Sequence, residues 1–295
     1  MWDSIHMENA PETEIVMRFK KFFILGTAVS IIAAGTLTGC SNSGDGGKGS
    51  ENVESDKNDS PKTDSDEKKD TAGKEDNELS DTIRWFNASY AILTELNGWD
   101  YNVFGGLKPS AQVAELEQQL LEDSWSVTDR ASADETLDWI LTEGHRFGFV
   151  DNMSYLEECG LSEVADNQRR DFILENFDVT QEETDFYVSS YNMYEEYGAE
   201  AIDAWDYCRA LNLMGFFYLA GYYEETEALD SSLEIAKTLQ AKFSSWDGLI
   251  DSYLRGYEYW AEESSDARRE VYEDLKKRED NPYRVDFNTE LKKTW

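Results

Sequence analysis

The sequence predicts an all-α fold: a single multi-helix domain built around a buried central helix, after a signal peptide and a disordered linker. Apolar residues recur at helical spacing through most of the chain beyond residue 80. The chain has only four prolines, which together with these helix-period patterns argues against an all-β fold. Aromatic residues make up 13% of it, including nine tryptophans, and this content is typical of a folded core.

A signal peptide is the first recognisable pattern in the chain. Residues 17–21 (MRFKK) carry positive charge, residues 22–37 are apolar and rich in small residues, and Thr38-Gly39-Cys40 closes the run. A transmembrane anchor is the alternative interpretation. The apolar run is short for an anchor and ends on small residues before a polar linker, which favours a cleaved signal peptide.

The Leu-Thr-Gly-Cys sequence at the end of this run resembles the lipobox of bacterial lipoproteins. In that family the cysteine is diacylated and becomes the mature N-terminus. The resemblance implies that residues 17–39 are removed and that Cys40 anchors the protein on the extracytoplasmic face of the cell membrane. It also implies that residues 1–16 are a mis-called upstream start.

Residues 40–80 predict a disordered acidic linker behind the lipidated cysteine. They consist mainly of Ser, Asn, Asp, Gly, Lys and Glu, with almost no large apolar side chain that could form a core. As a flexible coil, this segment spans roughly 35 Å on average, which is enough to hold a domain away from the membrane.

Helical spacing then runs through residues 81–295, the predicted domain. We predict helices over residues 81–96, 110–125, 133–143, 152–159, 162–177, 181–197, 199–220, 224–243, 245–260 and 265–278. The apolar face of the second of these is predicted to comprise Val113, Leu116, Leu120 and Leu121. The helix over 199–220 is apolar nearly all round, which indicates a buried helix. Gly256 lies inside a later helix, where the close approach of a neighbour would explain it.

A polar stripe interrupts the apolar helix, because Asp206, Arg209 and Asn212 recur every third residue. This spacing allows Asp206 and Arg209 to pair along the helix, and a buried pair must be satisfied. The candidate site comprises Trp205, Asp206, Arg209 and Asn212, with Trp246 and Tyr253 as neighbours. Two interpretations stay open: a buried polar network that fixes the helix register, or a pocket where Arg209 meets an anionic ligand group between tryptophans.

This region also resembles a known family. The residues that carry the resemblance are Ala204-Trp205-Asp206, Arg209, Asn212, Ala220-Gly221-Tyr222, Glu227-Ala228, Ser245-Trp246, Ser252-Tyr253-Leu254, Gly256 and Trp260. The pattern is similar to the DUF1266 family, a bacterial domain of unknown function, and extends more weakly to Trp139-Ile140-Leu141 and Gly144-His145-Arg146. The resemblance implies an all-α fold and no known activity.

The charge of the predicted domain limits its partners. Residues 81–295 hold 46 acidic and 18 basic residues, a formal net charge of −28. Such a field repels phosphate backbones, which argues against nucleic-acid binding. A solvated acidic surface is one interpretation of this charge, and a basic protein or peptide partner is the other.

The sequence predicts no cofactor, no metal site and no catalytic residue. Cys159 and Cys208 lie in apolar helical settings, where two buried thiols fit better than a disulfide. His145 is the only histidine after the predicted signal peptide, which argues against zinc, di-iron or cysteine-nucleophile sites. No phosphate-binding glycine loop or calcium loop occurs.

We therefore predict a lipid-anchored helical module that binds a partner or a small ligand, with catalysis left undecided. An envelope hydrolase that uses a carboxylate pair on glycan or peptide is one alternative, although the sequence singles out neither Asp203 with Asp206 nor Asp100 with Glu95. A protective protein that captures a basic partner by its charge is the other.

Replacing Cys40 by alanine removes the atom that would carry the lipid. We expect the Cys40→Ala protein to leave the membrane fraction, because no acyl chain then holds it at the bilayer. Membrane fractionation and immunoblotting measure this, with Ser43→Ala as the matched control. A Cys40→Ala protein that stays in the membrane fraction would contradict lipidation as the anchor.

Overall fold

The structure is a computed structural model and describes residues 79–295. Within that part of the chain the regular elements are α-helices and short 3₁₀-helices, without a strand, so the predicted all-α fold is confirmed. The predicted signal peptide, Cys40 and the linker up to residue 78 lie outside the described residues. Among the helices of residues 79–295, none combines the length and the apolar content that crossing a bilayer requires.

The helices follow one another with short connections. They are α1 (Asp81–Ser89), α2 (Ala91–Leu96), α3 (Ala111–Trp125), α4 (Arg130–Thr142), α5 (Gly144–Glu158), α6 (Arg169–Asn176), α7 (Gln181–Tyr197), α8 (Asp203–Leu219), α9 (Glu225–Lys242), α10 (Trp246–Ala261) and α11 (Asp266–Leu275). Three 3₁₀-helices lie at Leu161–Glu163, Asp166–Gln168 and Pro282–Arg284.

Helix α8 lies at the centre of the domain, as the sequence predicts. It packs against α9 and α10 along most of its length and also contacts α1, α3, α4 and α5. Leu211, Met214 and Phe217 on α8 are fully buried. Because each such side chain contributes about 1.5–3 kcal/mol when it is removed from water, α8 makes a large contribution to hydrophobic stabilisation.

Side-chain caps fix where several surrounding helices begin. Ser110, Asp129, Thr180 and Ser245 each accept a hydrogen bond from the backbone N–H three residues further on. At Asp129 and Thr180, the side chain of that third residue also accepts a hydrogen bond from the backbone N–H of the capping residue, which forms a capping box. A single cap of this kind contributes about 1 kcal/mol, so these residues define the helix boundaries.

Three predicted helices have different boundaries in the structure. The helix predicted over 81–96 divides at Tyr90, whose φ of −118° departs from helical geometry. The helix predicted over 152–159 begins earlier, at Gly144. The segment 162–177 is helical only from Arg169 to Asn176, because Val164 and Ala165 are extended and separate two 3₁₀-helices.

The apolar face predicted for α3 is correct at Leu121 and wrong at Leu116 and Leu120. Leu116 and Leu120 are 47% and 37% exposed. The structure buries Glu117 together with Leu121, which is four residues further on and therefore lies on the same face of the helix. The face that packs inward therefore comprises Val113, Glu117 and Leu121, although Glu117 is a carboxylic acid.

The prediction that both cysteines are buried is correct for only one of them. Cys208 is buried in α8, and Cys159 is exposed, and both are free thiols. Cys159 follows the last residue of α5 as its C-cap, and its side chain at this helix end lies outside the core.

The close approach predicted at Gly256 is confirmed. Gly256 lies on α10, where α10 crosses α8, and a Cβ added at this position would overlap the side chain of Trp205. The missing side chain lets the Trp205 ring pack 5.2 Å from the ring of Tyr253.

Replacing Gly256 by alanine tests this contact. We expect Gly256→Ala to lower the free energy of unfolding by about 1–3 kcal/mol, because the added methyl group pushes α10 away from α8. Gly248→Ala in the same helix is the matched control, since the nearest side-chain atom there is 3.5 Å away. That change should raise stability by up to about 1 kcal/mol. Equal effects of the two substitutions in urea denaturation would contradict the close contact.

Candidate functional site

The carboxylate of Asp206 lies where α8 meets the N-terminus of α5. Its Oδ1 accepts the backbone N–H of His145 at 3.1 Å and lies 2.7 Å from Nδ1 of the His145 ring. Its Oδ2 accepts the backbone N–H of Arg146 at 2.9 Å and Nη1 of Arg146 at 3.1 Å. Each oxygen of Asp206 therefore has two hydrogen-bond partners, and the side chain is fully buried.

This arrangement makes Asp206 the N-terminal cap of a helix to which it does not belong. The residue at the start of α5, Glu143, offers no side-chain cap of its own. The first backbone N–H groups of a helix need acceptors, and an anion near them is favoured by the helix dipole. Asp206 of α8 satisfies two of these groups in α5.

Arg146 extends the network to α4. Its Nη1 donates to the carbonyl of Ile140 at 2.7 Å, and its Nη2 donates to the carbonyl of Leu141. Burial raises the pKa of Asp206, but the hydrogen bond from the His145 ring and the N–H and charge of Arg146 outweigh it and lower this pKa below its usual value. Asp206 is therefore a carboxylate that joins three helices.

The pairing predicted between Asp206 and Arg209 is wrong. Both oxygens of Asp206 are occupied by residues of α5, and Arg209 forms no ion pair with any residue of the described part of the chain. The guanidinium of Arg209 instead lies among tryptophans: its Cζ is 4.4 Å from the ring centroid of Trp125, 4.7 Å from that of Trp205 and 5.2 Å from that of Trp260. We name Arg209 and these three tryptophans the Arg209 box.

Two hydrogen-bond donors in the Arg209 box lack an acceptor. Nη1 of Arg209 and Nε1 of Trp205 are both buried, and neither forms a hydrogen bond with the described residues. Burial lowers the pKa of Arg209 to about 10, so its side chain is still a cation at neutral pH. Three aromatic faces stabilise this cation, each by roughly 0.5–2 kcal/mol, but they accept no conventional hydrogen bond.

The remaining residues of the sequence-predicted site are divided between two places. Tyr253 packs against Trp205, and its hydroxyl accepts a hydrogen bond from Nη1 of Arg268 at 3.3 Å. Asn212 is buried within α8, one turn beyond Arg209. Trp246 lies elsewhere, because its Nε1 donates to the carbonyl of Val285 at 2.9 Å.

The structure places Trp246 among other aromatic rings. Its ring centroid is 5.1 Å from those of Trp85 and Phe287, in the contact between α1, α10 and the C-terminal segment. Trp246 therefore packs as a core residue and does not join the Arg209 box. Trp125 and Trp260 take the flanking positions that the sequence interpretation gave to it.

The alternative carboxylate pair, Asp203 with Asp206, is not arranged for hydrolysis. Asp206 has no free oxygen for a substrate or a water. Burial raises the pKa of Asp203 above its usual value, and Nζ of Lys242 lies 2.7 Å from its carboxylate. Asp203 lies on a shallow cavity of about 210 Å³, whose lining also includes Thr142, Glu143, Arg146, Phe147, Val150 and Ala199. This volume is below the range usual for ligand pockets.

A metal site is not evident in residues 79–295, and the buried thiol of Cys208 is not a nucleophile. No group of three or more His, Cys, Asp or Glu side chains in this range is placed to hold a metal ion. Burial raises the pKa of the Cys208 thiol, which keeps it protonated, whereas a nucleophilic cysteine must form a thiolate.

Glu117 is a buried acid that the sequence interpretation missed. Both of its carboxylate oxygens are buried without a hydrogen-bond partner in the described residues, and burial raises its pKa to about 8. The sequence signal was its position between Val113 and Leu121 on one helix face. At neutral pH Glu117 is mostly a neutral acid within the core.

Comparison with known protein families gives a match that covers this site. The model of the family described as "Protein of unknown function (DUF1266)" matches residues 120–287, a range that contains the Arg209 box and the Asp206 network. No curated protein and no solved structure shows a significant match to the chain.

Replacing Glu117 by glutamine tests its protonation in the folded state. Because the folded-state pKa is raised from about 4.5 to about 8, the folded protein retains a proton that the unfolded chain loses as the pH rises. Glu117 therefore contributes to the free energy of unfolding at low pH. This contribution falls as the pH rises from about 4.5 to about 8, by roughly 3–5 kcal/mol in total. Glu117→Gln should gain stability relative to wild type over the same range.

Urea denaturation at about pH 5 and about pH 8.5 measures that difference. Glu115→Gln, an exposed change on the same helix, is the control and should leave the pH dependence unchanged. A Glu117→Gln protein whose stability relative to wild type does not vary with pH would refute the raised pKa.

Proposed function

The chain belongs to the DUF1266 family of proteins of unknown function, and from this premise we propose that its helical domain is a binding module for a ligand with an anionic group. The observation that carries the proposal is the Arg209 guanidinium, which is enclosed by three tryptophans and has no carboxylate partner among the described residues. We propose that the anionic group binds at this guanidinium.

The donors of the Arg209 box are suited to a carboxylate. Nη1 of Arg209 and Nε1 of Trp205 are buried donors without acceptors, and a buried donor left without an acceptor costs about 1–3 kcal/mol. A carboxylate oxygen is one of the acceptors that an arginine binds strongly, because both groups are charged. The tryptophan faces would pack against the apolar part of the same ligand.

The position of Arg209 favours a ligand site over a purely structural role. Arg209 as a whole residue is partly exposed, although Nη1 of its guanidinium is buried. Trp125 and Trp260 are also only partly buried. A register-fixing network, the alternative interpretation, is already supplied one helical turn away by Asp206 with His145 and Arg146.

The proposal places this module outside the cytoplasm of a bacterial cell, tethered to the membrane through diacylated Cys40 and the linker 40–80. The support is the signal-peptide pattern and the resemblance to the lipobox. For a protein or peptide partner, as distinct from the small anionic ligand, the net charge of −28 over residues 81–295 favours a basic one over an acidic one. Binding of a basic peptide that does not weaken with added salt would contradict this charge-based partner.

Titration with benzoate tests the anion site. We expect benzoate to change the tryptophan fluorescence of the full chain at concentrations where benzamide, its neutral analogue, does not. Arg209→Met should weaken benzoate binding by about 10- to 100-fold, because it removes a charged hydrogen-bond donor. The methionine keeps the apolar contact with the tryptophans, and loss of a buried charge should leave the melting temperature unchanged or raise it.

Arg130→Met is the matched control for this titration. The Arg130 guanidinium also lies over an aromatic ring, 3.7 Å from the centroid of Tyr223, but it is ion-paired with Glu227 at 2.6 Å. Benzoate affinity should be unchanged in this variant. Equal binding of benzoate and benzamide, or equal binding by wild type and Arg209→Met, would contradict the proposed function.

A further inference from the structure

The His145 ring has one nitrogen that the protein uses and one that it leaves free. Asp206 is a carboxylate that accepts hydrogen bonds only, so Nδ1 of His145, which lies 2.7 Å from it, must carry the hydrogen. In a neutral imidazole the second nitrogen, Nε2, is then an acceptor. Burial lowers the pKa of His145, which keeps the ring neutral at physiological pH.

Nε2 of His145 has no donor among the residues of the described range. The side chain is 18% exposed, so this nitrogen belongs to a ring that reaches the solvent. The ring lies edge-on between two indoles, with its centroid 5.2 Å from that of Trp139 and 6.3 Å from that of Trp205. Asp206 fixes the orientation of the ring through Nδ1, which leaves Nε2 for a ligand.

The same indole that flanks His145 also flanks Arg209. The Arg209 guanidinium lies 4.7 Å from the centroid of Trp205, and its charge reaches the His145 ring. Trp205 itself is only 3% exposed, so a ligand would reach the two groups from beside its ring, through the partly exposed side chains of Arg209 and His145. There it would meet a donor, the Arg209 guanidinium, and an acceptor, Nε2 of His145. Aromatic rings border both groups, through Trp125 and Trp260 on one side and Trp139 on the other.

We propose that the ligand of the Arg209 box is a planar carboxylate that also carries a hydroxyl or N–H group, and that this group donates a hydrogen bond to Nε2 of His145. The inference rests on the proposed function, because Arg209 holds the carboxylate. The hydrogen bond to Nε2 of His145 is a second polar contact, and it would favour carboxylates that carry a donor group over those that do not. The planar class follows from the indole faces, against which a flat ring buries more surface than a branched chain.

Pairs of substituted benzoates test this inference in the full chain. Each of 3- and 4-hydroxybenzoate is compared with the methoxybenzoate of the same substitution, which has the same carboxylate and no hydroxyl donor. We expect one hydroxybenzoate to bind the wild-type chain about 5- to 10-fold more tightly than its methoxy partner, which is the usual contribution of one hydrogen bond. The two isomers cover two separations between the carboxylate and the donor.

His145→Asn is the variant that separates the contact from the fold. The amide nitrogen of asparagine can take the position of Nδ1 and donate to Asp206, and the variant has no atom in the position of Nε2. We expect it to bind each hydroxybenzoate and its methoxy partner equally, with plain benzoate affinity unchanged and the melting temperature within a few degrees of wild type. Loss of benzoate binding together with the hydroxyl preference would mean that His145 acts only on the structure of the site.

The outcomes distinguish this inference from the proposed function. If the wild-type chain binds benzoate but prefers neither hydroxybenzoate over its methoxy partner, the role of Nε2 is overturned and the anion site stands. If the wild-type chain binds none of these benzoates, both proposals are overturned. A preference that persists in His145→Asn would place the acceptor on another residue and overturn the inference.

Discussion

The buried carboxylate of Asp206 is the interaction on which the central helices depend. It caps α5 from α8, and Arg146 continues the connection to the last carbonyls of α4. The usual arrangement places the capping residue beside the helix that it caps, within the same stretch of sequence. Here the cap comes from a helix 60 residues further on, so the contact fixes how three helices meet as well as where one begins.

The structural use of Asp206 explains why Arg209 is free. The two residues are one turn apart on α8, and a pair between them would have neutralised the cation within the helix. Because α5 occupies both oxygens of Asp206, the nearest carboxylate is unavailable to Arg209, and aromatic rings stabilise the guanidinium instead. Helix α8 thus carries Asp206, whose carboxylate is used within the fold, and Arg209, whose guanidinium still has a donor without an acceptor.

Local spacing in the sequence was sufficient for the fold class, the burial of α8 and the presence of a close approach at Gly256, although it did not identify the partner there, Trp205 of α8. It also selected Arg209 and Trp205 correctly as neighbours. The partners of Asp206 and the roles of Trp125 and Trp260 depend on contacts across 50 to 85 residues, which helical periodicity does not encode. Glu117 was missed because an acid was not expected on a buried face, where burial alone raises its pKa.

The cap that α8 supplies to α5 also has a consequence for the order of folding. Until α8 is in place, the first turn of α5 has unsatisfied N–H groups and its N-terminus frays, because Glu143 does not cap it. The segment that completes α5 lies about 60 residues downstream, so closure of this long loop must precede its full stability. The full stability of α5 is therefore coupled to the docking of α8.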